Sequence, residues 1–364
     1  MKIVTVVGAR PQFIKASVVS RALKHVNVTD EVMVHTGQHF DANMSSVFFE
    51  QLGIQRPRYY LDINGGGHGQ MTGRMLEQIE GILLSERPDL VVVYGDTNST
   101  IAGALAAAKL NIEVAHVEAG LRSFDRRMPE EINRILTDQI SSKLFCPTIF
   151  AMNNLIKEGF DSRDVEIYLV GDVMHDAAHM FESCAHAPSG LRIEDKFVLA
   201  TIHRAENTDQ PERLAAIVEA INRICAHVQV IIPLHPRTVL AIYQQRLECR
   251  ATVIPPVGYF ESIWLVKNSG LVLTDSGGLQ KEAFFFGKPC VTMRESTEWS
   301  ELVSRGVNFL VGANESAIVN SVITYFGSYV EGDESLFGGG TAAQKIADCI
   351  CSDKGHRLNL TRQG

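Results

Sequence analysis

The feature of this chain that most constrains its fold is a repeated alternation of short apolar runs with helical patterns. Apolar runs lie at residues 3–7, 31–35, 90–93, 114–117, 144–146 and 166–170, and a second series lies at 197–202, 228–232, 271–273, 289–293 and 308–311. Helical patterns such as 13–23, 69–84 and 101–110 separate them. Continuous apolar strands alternating with helices are typical of parallel sheets that are covered on both faces. The sequence therefore predicts an α/β fold.

The two series of apolar runs indicate two domains. A chain of 364 residues is long enough for two, and the second series begins after Gly171 and Asp172. We therefore predict an N-terminal Rossmann-like domain over 1–172 and a C-terminal one over 173–364, with the last helix a candidate to return to the N-terminal domain. Because ligands bind at the carboxyl ends of parallel strands, we expect the active site in a cleft between the two carboxyl edges.

Composition excludes several classes of function. The chain is 45% apolar and 21% charged, with a net charge of −8, so it lacks the basic surface of a general nucleic-acid-binding protein. No apolar run is long enough to span a membrane, and the first residues do not resemble a signal peptide, so we expect a cytoplasmic protein without membrane partners. The seven cysteines are scattered without a CxxC pair, which favours reduced thiols over disulfides or a zinc site.

Acidic residues follow two of the predicted strands. Asp96 comes after the 90–93 run, Glu118 comes after the 114–117 run, and the pair Glu130 and Glu131 follows in MPEEINR. Each acid alone could simply stabilise a helix N-terminus. Three acidic positions in one region, with basic residues nearby, favour a site for chemistry.

A basic motif follows the first strand. In GARPQFIK, Gly8 permits a tight turn and Pro11 suits the start of a helix. Arg10 and Lys15 can then reach a phosphate or a developing anion near that helix N-terminus. The alternative is a basic loop that is only solvated. The segment lacks GxGxxG, so a nicotinamide or flavin site is disfavoured.

The segment TDSGGLQKEAFFFGKP contains the strongest phosphate signal in the second domain. Ser276, Gly277 and Gly278 follow a buried strand and would let backbone amides approach a pyrophosphate, while Glu282 lies one turn further at reach for a ribose hydroxyl. A turn capped by a serine is the alternative. The Walker lysine pattern is absent, which argues against ATP hydrolysis.

Histidines and arginines end two further strands of the second domain. His203 in ATIHRAENTD and His235 in PLHPRT are placed to orient a phosphate, and Arg204 and Arg237 add positive charge. Both histidines also have a structural alternative, and His203 is the stronger candidate. A further segment, RESTEWSEL, is predicted to open a helix capped by Thr297.

Taken together and in this order, the motifs resemble the non-hydrolysing UDP-N-acetylglucosamine 2-epimerases. The resemblance is carried by GARPQFIK, GDTNST, HVEAGLRS, PEEINR, VGD, TDSGGLQKEA and GKP, across nearly the whole chain. It implies two Rossmann-like domains in the glycosyltransferase-B arrangement, a homodimer, and no cofactor or metal. The stretches TGQHFDANMS, GGGHGQMTGRML and TEW are similar to the branch that acts on UDP-2,3-diacetamido-2,3-dideoxyglucuronic acid.

The family resemblance implies a mechanism and roles for the candidate residues. The family eliminates UDP to form a 2-acetamidoglycal and adds it back after protonation of the opposite face of C2. Family catalytic positions match Asp96, Glu118 and Glu130, while Arg134 and His203 match other site residues, as do Arg10 and Lys15. UDP binding carries over to Ser276, Gly277, Gly278 and Glu282, and His235 and Arg237 are further candidates. A surface ion pair between Glu130 and Arg134, at i and i+4, is the alternative for that pair.

The chain also departs from the family pattern. Trp299 replaces the arginine of TERPE, and Ser262 falls where a phenylalanine contacts uracil. The segment QHFDANM and His68 differ from members activated by their own substrate, so we predict weak or absent substrate activation.

Several functions stay open at this point. A C6 carboxylate would need a cation, for which Arg122, Arg126 and Arg127 are candidates. UDP-N-acetylglucosamine as the substrate, a hydrolysing epimerase, a glycosyltransferase of the same fold and a non-catalytic sensor are the alternatives. The family also implies a role in surface polysaccharide such as O-antigen. Alanine at Asp96, Glu118 or Glu130 is expected to abolish epimerisation with UDP binding largely kept, and Glu131→Ala to be mild.

Overall fold

The computed structural model describes residues 1–26, 30–38, 46–193 and 195–352, without the side chains of 46–48 and 334. The chain divides into two compact units. Unit 1 comprises Met1–Ala177 and Glu334–Gly364, and unit 2 comprises Ala178–Asp333. Among the described residues, no helix is long and apolar enough to cross a membrane.

Unit 1 contains a seven-stranded parallel sheet in the order β3-β2-β1-β4-β5-β6-β7. Its strands are β1 (Lys2–Val7), β2 (Asp30–His35), β3 (Tyr59–Tyr60), β4 (Leu90–Tyr94), β5 (Glu113–Val117), β6 (Lys143–Cys146) and β7 (Glu166–Leu169). Val4, Val6, Val91 and Val93 are fully buried in its core because helices cover both faces. The order reverses between β1 and β4, so a crevice opens at their carboxyl ends.

Helices connect these strands. They are α1 (Arg10–His25), α2 (Ser46–Leu52), α3 (His68–Glu86), α4 (Asn98–Lys109), α5 (Pro129–Ile140), α6 (Ile149–Lys157) and α7 (Val173–Phe181), with α15 (Ala342–Cys351) returning late in the chain. Pro11 lies in the first turn of α1 and Pro129 begins α5, where the missing N–H has no helical partner to lose.

Unit 2 repeats the architecture with a six-stranded parallel sheet in the order β10-β9-β8-β11-β12-β13. The strands are β8 (Val198–Thr201), β9 (Val230–Pro233), β10 (Thr252–Ile254), β11 (Leu271–Thr274), β12 (Cys290–Thr292) and β13 (Asn308–Leu310). The helices are α8 (Ala205–Thr208), α9 (Pro211–Cys225), α10 (Pro236–Gln244), α11 (Tyr259–Asn268), α12 (Gly277–Phe285), α13 (Ser300–Ser304) and α14 (Glu315–Tyr325). Here the order reverses between β8 and β11.

The predicted class of two Rossmann-like α/β domains is confirmed. All eleven predicted strands are present to within about two residues. Strands β3 and β10 were missed, because two or three residues are too short to give a periodic signal.

The compact units divide after Ala177, a few residues beyond the predicted boundary at 172. The last helix, α15, packs against α1 of unit 1. Asp176 on α7 accepts hydrogen bonds from the backbone N–H groups of Ala342 (3.1 Å) and Ala343 (2.7 Å), which satisfies the N-terminus of α15. The returning segment also passes against Gly171, whose φ is +100° and whose missing side chain leaves room for the Phe337 carbonyl. The C-terminal segment therefore completes the first unit.

Candidate active site

The reversal point of the unit 1 sheet is tied together by one buried glutamine. The Gln12 side-chain oxygen accepts hydrogen bonds from the N–H groups of Gly8 (2.8 Å) and Ala9 (3.1 Å), in the loop after β1. Its amide nitrogen donates to the Tyr94 carbonyl (2.7 Å) at the end of β4. The loop carrying Arg10 and the loop carrying Asp96 are thus held in a fixed relation. Arg10 itself is half-buried at the start of α1.

Asp96 and Arg134 form an ion pair at this edge. An Nη2 hydrogen of Arg134, on α5, is donated to Asp96 Oδ2, and the Asp96 side chain keeps 30% of its surface exposed. The Asn133 amide donates to the Asp96 carbonyl at 3.0 Å. Helix α5 therefore fixes both the main chain and the side chain of Asp96, and leaves the carboxylate accessible to a ligand.

Glu118 and Lys15 form a second ion pair. Lys15 Nζ on α1 donates to Glu118 Oε2, and both side chains are almost completely buried. Glu118 has φ of +76°, a conformation that costs a non-glycine residue energy and that is concentrated at functional sites. A Cβ added to neighbouring Gly95 would lie 3.1 Å from Glu118 Oε2, so the loops after β4 and β5 are in close contact. The structure brings Lys15 and Glu118 together as a buried acid–base pair.

Glu130 differs from the other acids. It lies in the first turn of α5, is half-buried, and forms no hydrogen bond or ion pair with any residue that the structure describes. The predicted alternative, an ion pair between Glu130 and Arg134, is wrong, because Arg134 is engaged by Asp96 and Glu131. Glu130 is thus a carboxylate whose oxygens are available to a ligand.

Glu131 is built into the protein interior. Only 1% of its surface is exposed, and its carboxylate accepts hydrogen bonds from Ser123 N (2.9 Å), Ser123 Oγ (3.0 Å), Phe124 N (2.9 Å) and Arg134 Nη1 (3.0 Å). Glu131 therefore supports both the 123–124 loop and the arginine that holds Asp96. The expectation that Glu131→Ala is mild does not fit this environment, because removing a buried carboxylate leaves its donors unpaired.

In unit 2, His203 is held by a buried carboxylate at the reversal point between β8 and β11. His203 Nδ1 lies 2.8 Å from Asp275 Oδ1, and the carboxylate also accepts the N–H groups of His203 and Arg204 (3.1 Å each to Oδ2) and an amide hydrogen of Asn207 (3.1 Å). Burial acts to raise the pKa of Asp275, but the hydrogen bonds and charge of His203 outweigh it and hold that pKa below its ordinary value. The His203 ring is half-exposed, and its Nδ1 faces the carboxylate.

The glycine motif forms the N-terminus of α12, as the sequence predicts. Ser276 is the N-cap, and its hydroxyl accepts the N–H of Leu279 at 3.4 Å. A Cβ added to Gly277 would lie 2.0 Å from Glu298 Oε1, whereas one added to Gly278 would meet nothing closer than Ser276 Oγ at 3.9 Å. A side chain at position 277 would therefore displace the Glu298 carboxylate, whereas Gly278 leaves the helix end open. Glu282, one turn along, is buried within the same helix.

The remaining predicted residues of unit 2 have evident structural roles. His235 is the N-cap of α10, where its Nδ1 accepts the N–H of Arg237 at 3.3 Å. Arg237 forms an exposed ion pair with Asp209 at 2.6 Å.

The prediction that Thr297 caps the helix of RESTEWSEL is wrong, since α13 begins at Ser300 with Trp299 as its N-cap. The Thr297 hydroxyl instead donates to Gln280 at 2.7 Å and so ties this loop to α12.

Sequence reasoning missed three residues that organise the two clusters. Gln12 was not selected, because an amide inside a helix carries no signal of its own. Asp275 and Arg294 were also missed, although they lie one and two residues beyond the ends of β11 and β12. Arg294 is 2% exposed, pairs with Glu298 at 3.0 Å, and lies beside Gly277. Position after a buried strand was the available signal for Asp275 and Arg294.

The three arginines proposed to recognise a sugar carboxylate have different environments. Arg122 is buried and donates to both Asp138 (2.7 Å) and Glu158 (2.7 and 2.8 Å), so it is committed to the interior. Arg127 is 91% exposed and pairs with Asp125 at 2.8 Å. Arg126 is exposed and has no ion pair or hydrogen bond with a described residue. Among the described residues, no group of three or more His, Cys, Asp or Glu could hold a metal ion.

The fold and these clusters define a two-domain α/β enzyme of the Rossmann type, with a carboxylate cluster in one unit and an open helix N-terminus in the other. A family model described as UDP-N-acetylglucosamine 2-epimerase matches residues 21–351. The chain belongs to this family, as the resemblance of its motifs implies. It is accordingly a UDP-sugar 2-epimerase, an isomerase.

Individual relatives are similar over nearly their whole length. The UDP-2,3-diacetamido-2,3-dideoxy-D-glucuronate 2-epimerase of Pseudomonas aeruginosa is 61% identical over 96% of this chain and 99% of its own. The UDP-N-acetylglucosamine 2-epimerase of Methanocaldococcus jannaschii is 45% identical over 97% of this chain and 100% of its own. A crystal structure of the Methanocaldococcus jannaschii enzyme with UDP-GlcNAc and UDP has a TM-score of 0.89 at 44% identity, covering 96% and 99% of the two chains.

Proposed function

We propose that this enzyme epimerises C2 of UDP-2,3-diacetamido-2,3-dideoxy-glucuronic acid to the manno form without hydrolysis. The 61% identity to the Pseudomonas aeruginosa enzyme of that name supports this substrate over UDP-N-acetylglucosamine, which occurs in the names of relatives of 49% identity and lower. A role in surface polysaccharide synthesis, such as O-antigen, follows from the family resemblance and is part of the same proposal.

The observation that carries the mechanism is the contrast between paired and unpaired acids in unit 1. Glu130 has no described partner, whereas Asp96 and Glu118 are each bound to a cation. We assign proton transfer on one face of C2 to Glu130 and on the other to Glu118, with Asp96 and Arg134 orienting the sugar. A carboxylate that is free of competing donors is the better proton acceptor, since hydrogen bonds to the charged form stabilise it.

The proposed reaction balances as an elimination followed by an addition. One residue, as the carboxylate, removes the C2 proton. The C–H electron pair becomes the C1–C2 double bond, and the C1–O bond breaks so that UDP leaves with its electron pair. The other residue, carrying a proton, then protonates C2 from the opposite face while a UDP oxygen bonds again to C1. The departing pyrophosphate gains negative charge, which we propose is stabilised at the N-terminus of α12 by Ser276, Gly277 and Gly278, with His203 and the Arg10–Lys15 segment.

The ribose hydroxyls are proposed to bind Glu282. His235 and Arg237 stay candidates for UDP binding, although their described contacts are structural. No cofactor or metal takes part in this proposal.

We also propose a homodimer, in keeping with the family. Ile132 and Leu136 support an interface on α5, because they lie one turn apart and are 46% and 48% exposed.

Incubating the enzyme in deuterated water with each of the two UDP-sugars tests the proposal. We expect deuterium at C2 of both epimers of the diacetamido-uronate, with UDP retained. Release of free UDP together with free sugar would indicate a hydrolysing enzyme, and exchange that needs an acceptor would indicate a transferase. Faster turnover of UDP-N-acetylglucosamine than of the uronate would contradict the substrate assignment.

A carboxylate at C6 of the sugar needs a positively charged partner. Arg126 is the candidate because Arg122 pairs with Asp138 and Glu158, and Arg127 pairs with Asp125. We expect Arg126→Gln to raise KM for the uronate by about tenfold, the effect of losing one charge-assisted hydrogen bond, and to leave KM for UDP-N-acetylglucosamine unchanged. Arg127→Gln is the matched control from the adjacent position. Equal effects of the two substitutions would eliminate Arg126 as the recognition residue.

We further propose that substrate activation is weak or absent. The departures on which this rests are His68 and the segment QHFDANM, of which residues 39–44 lie outside the described part of the chain. His68 Nδ1 lies 3.2 Å from the Asn98 amide. Rate against uronate concentration should be hyperbolic, and a strongly sigmoidal curve that requires UDP-N-acetylglucosamine would refute the proposal.

A further inference from the structure

A buried ion pair joins the three elements that carry the candidate acids. His116 on β5 and Asp138 on α5 have no exposed surface, and His116 Nδ1 lies 2.7 Å from Asp138 Oδ1. His116 Nε2 lies 2.7 Å from the carbonyl oxygen of Gly95, the residue before Asp96. Neither residue was singled out by its sequence context, and neither contacts the candidate acids directly among the contacts described.

The contacts of the imidazole specify its protonation. A carbonyl oxygen can only accept a hydrogen bond, so Nε2 must carry a proton. The carboxylate facing Nδ1 also accepts Arg122 Nη1 (2.7 Å) and Gly120 N (3.2 Å) through its other oxygen. These donors stabilise the ionised carboxylate, which places a second proton on Nδ1. Although burial acts to raise the pKa of Asp138, the hydrogen bond and charge of His116, followed by those of Arg122, hold it below its ordinary value.

The surrounding charges balance an imidazolium. Arg122 pairs with Asp138 and, in bidentate fashion, with Glu158, so two cations face two anions. Cys146 on β6 is a further titratable group near the pair, and burial raises the pKa of its thiol so that it stays neutral. A buried charge in a protein is tolerated when it is paired in this way.

The pair also has the right connections to position the acids. His116 fixes the Gly95 carbonyl and thereby the peptide that leads into Asp96, while Asp138 binds the N–H of Gly120 in the loop after Glu118. On α5, Asp138 follows Arg134 by one turn and Glu130 by two, which places all three on one face of the helix. One ion pair therefore connects the loops after β4 and β5 with the helix of Glu130.

We propose that His116 is a doubly protonated imidazolium and that its pair with Asp138 positions Glu118 and Glu130 for proton transfer and Asp96 for binding the sugar. His116 and Asp138 are positioning residues, and the charge is needed because it makes both of the histidine's hydrogen bonds donating and strong. The effect on turnover rests on the proposed epimerisation, whereas the protonation state does not.

The protonation state can be measured on the wild-type enzyme. In ¹⁵N NMR of histidine-labelled protein, assigned by the loss of one signal in His116→Gln, both ring nitrogens of His116 are expected to show bonded protons at neutral pH. One unprotonated ring nitrogen at neutral pH would overturn the proposal. This outcome does not depend on whether the enzyme turns over a particular sugar.

Asp138→Asn separates charge from shape. Asparagine can accept from Arg122 and Gly120 through its oxygen and donate its amide hydrogen to a neutral His116 Nδ1, so each contact persists while the charge is lost. We expect kcat to fall by about 10- to 100-fold, as small displacements of catalytic groups do, with KM and UDP affinity within about twofold of wild type. Wild-type kcat in a folded Asp138→Asn enzyme would overturn the positioning role.

Glu158→Gln is the matched control. It removes a charge from the same network through Arg122, but Glu158 has no described contact with His116, Gly95 or Gly120. Its kcat should equal that of wild type, and a loss as large as that of Asp138→Asn would assign the effect to general destabilisation.

If Asp138→Asn does not fold, the NMR measurement still decides the protonation claim. A wild-type enzyme that exchanges C2 of neither sugar would refute the proposed function and leave that measurement standing.

Discussion

The two units present their candidate residues in different ways, although both do so at the reversal point of a parallel sheet. In unit 1 the functional groups are charged side chains held by other buried charges, as in Lys15 with Glu118. In unit 2 the corresponding edge has one such pair, His203 with Asp275, and adds the main-chain N–H groups and glycines at the start of α12. Under the proposed function, unit 1 controls the positions of protons, whereas unit 2 offers hydrogen-bond donors to an anion. Substitutions in the two units should therefore separate turnover from UDP binding.

The largest expected effect is on turnover, in unit 1. Glu130→Gln should lower kcat by about 10²- to 10⁴-fold, because it removes a proton-transfer group without removing any described contact. UDP affinity, measured by calorimetry, should stay within about twofold of wild type. Deuterium exchange at C2 supplies the rate. A variant with unchanged kcat would contradict the assignment of proton transfer to Glu130. A parallel loss of UDP affinity would contradict the expectation that substitutions in unit 1 affect turnover and leave UDP binding unchanged.

Next in size is the effect of Glu131→Ala on stability. The substitution removes the acceptor of four hydrogen bonds and leaves Arg134 without one of its two acidic partners, so we expect a loss of about 3–5 kcal/mol in the free energy of unfolding. Urea denaturation measures it. Glu130→Gln is the internal control from the adjacent residue and should unfold like wild type. A mild effect of Glu131→Ala would instead agree with the expectation from the sequence that this substitution is well tolerated.

Acid sensitivity should also distinguish the units. In unit 1, burial lowers the pKa of His35 to about 4, a shift that Asp62 only partly opposes, and its neutral Nδ1 accepts the N–H of Gly37 at 2.8 Å. The unfolded chain binds this proton near pH 6.5, so stability falls as the pH drops from there towards 4, by up to about 3 kcal/mol. In unit 2, Asp275 has a lowered pKa, so its contribution is lost only below about pH 3.8.

Denaturation of wild type and His35→Asn at pH 7 and pH 4.5 tests this difference. The asparagine oxygen can replace Nδ1 as an acceptor but does not titrate, so the variant should lose less stability on acidification. Its stability at pH 7 will be lower because the ring contact with Phe13 is lost. Identical pH dependence in the two proteins would show that His35 is not the group responsible.

The smallest expected effect concerns the glycines of unit 2. Gly278→Ala adds a methyl group that meets no protein atom closer than 3.9 Å, so stability should be unchanged. UDP affinity should fall by about tenfold, because a pyrophosphate bound to this helix end needs close approach to the backbone. Gly277→Ala, which would contact Glu298, should reduce both properties. Unaltered UDP affinity in Gly278→Ala would place the pyrophosphate elsewhere.

Much of the framework was predictable from the sequence. The apolar runs gave both parallel sheets, because a strand covered on two faces must be apolar throughout its length. They also located Asp96, Glu118 and Ser276, since each lies one or two residues beyond the end of such a strand. The short edge strands β3 and β10 were not predictable, because their few residues pair only with a neighbour that is distant in sequence.

The sequence by itself therefore determined the alternation of elements, the two-domain class and the addresses of the acids at strand ends. Only the tertiary structure decided which acids are paired. Glu130 and Glu131 are adjacent and identical in type, yet one has no described partner and the other accepts four hydrogen bonds in the interior. A helix turns by about 100° per residue, so neighbouring side chains meet different surroundings, and those surroundings are supplied by segments remote in the chain. The roles of His116, Asp138 and the returning helix α15 were decided in the same way.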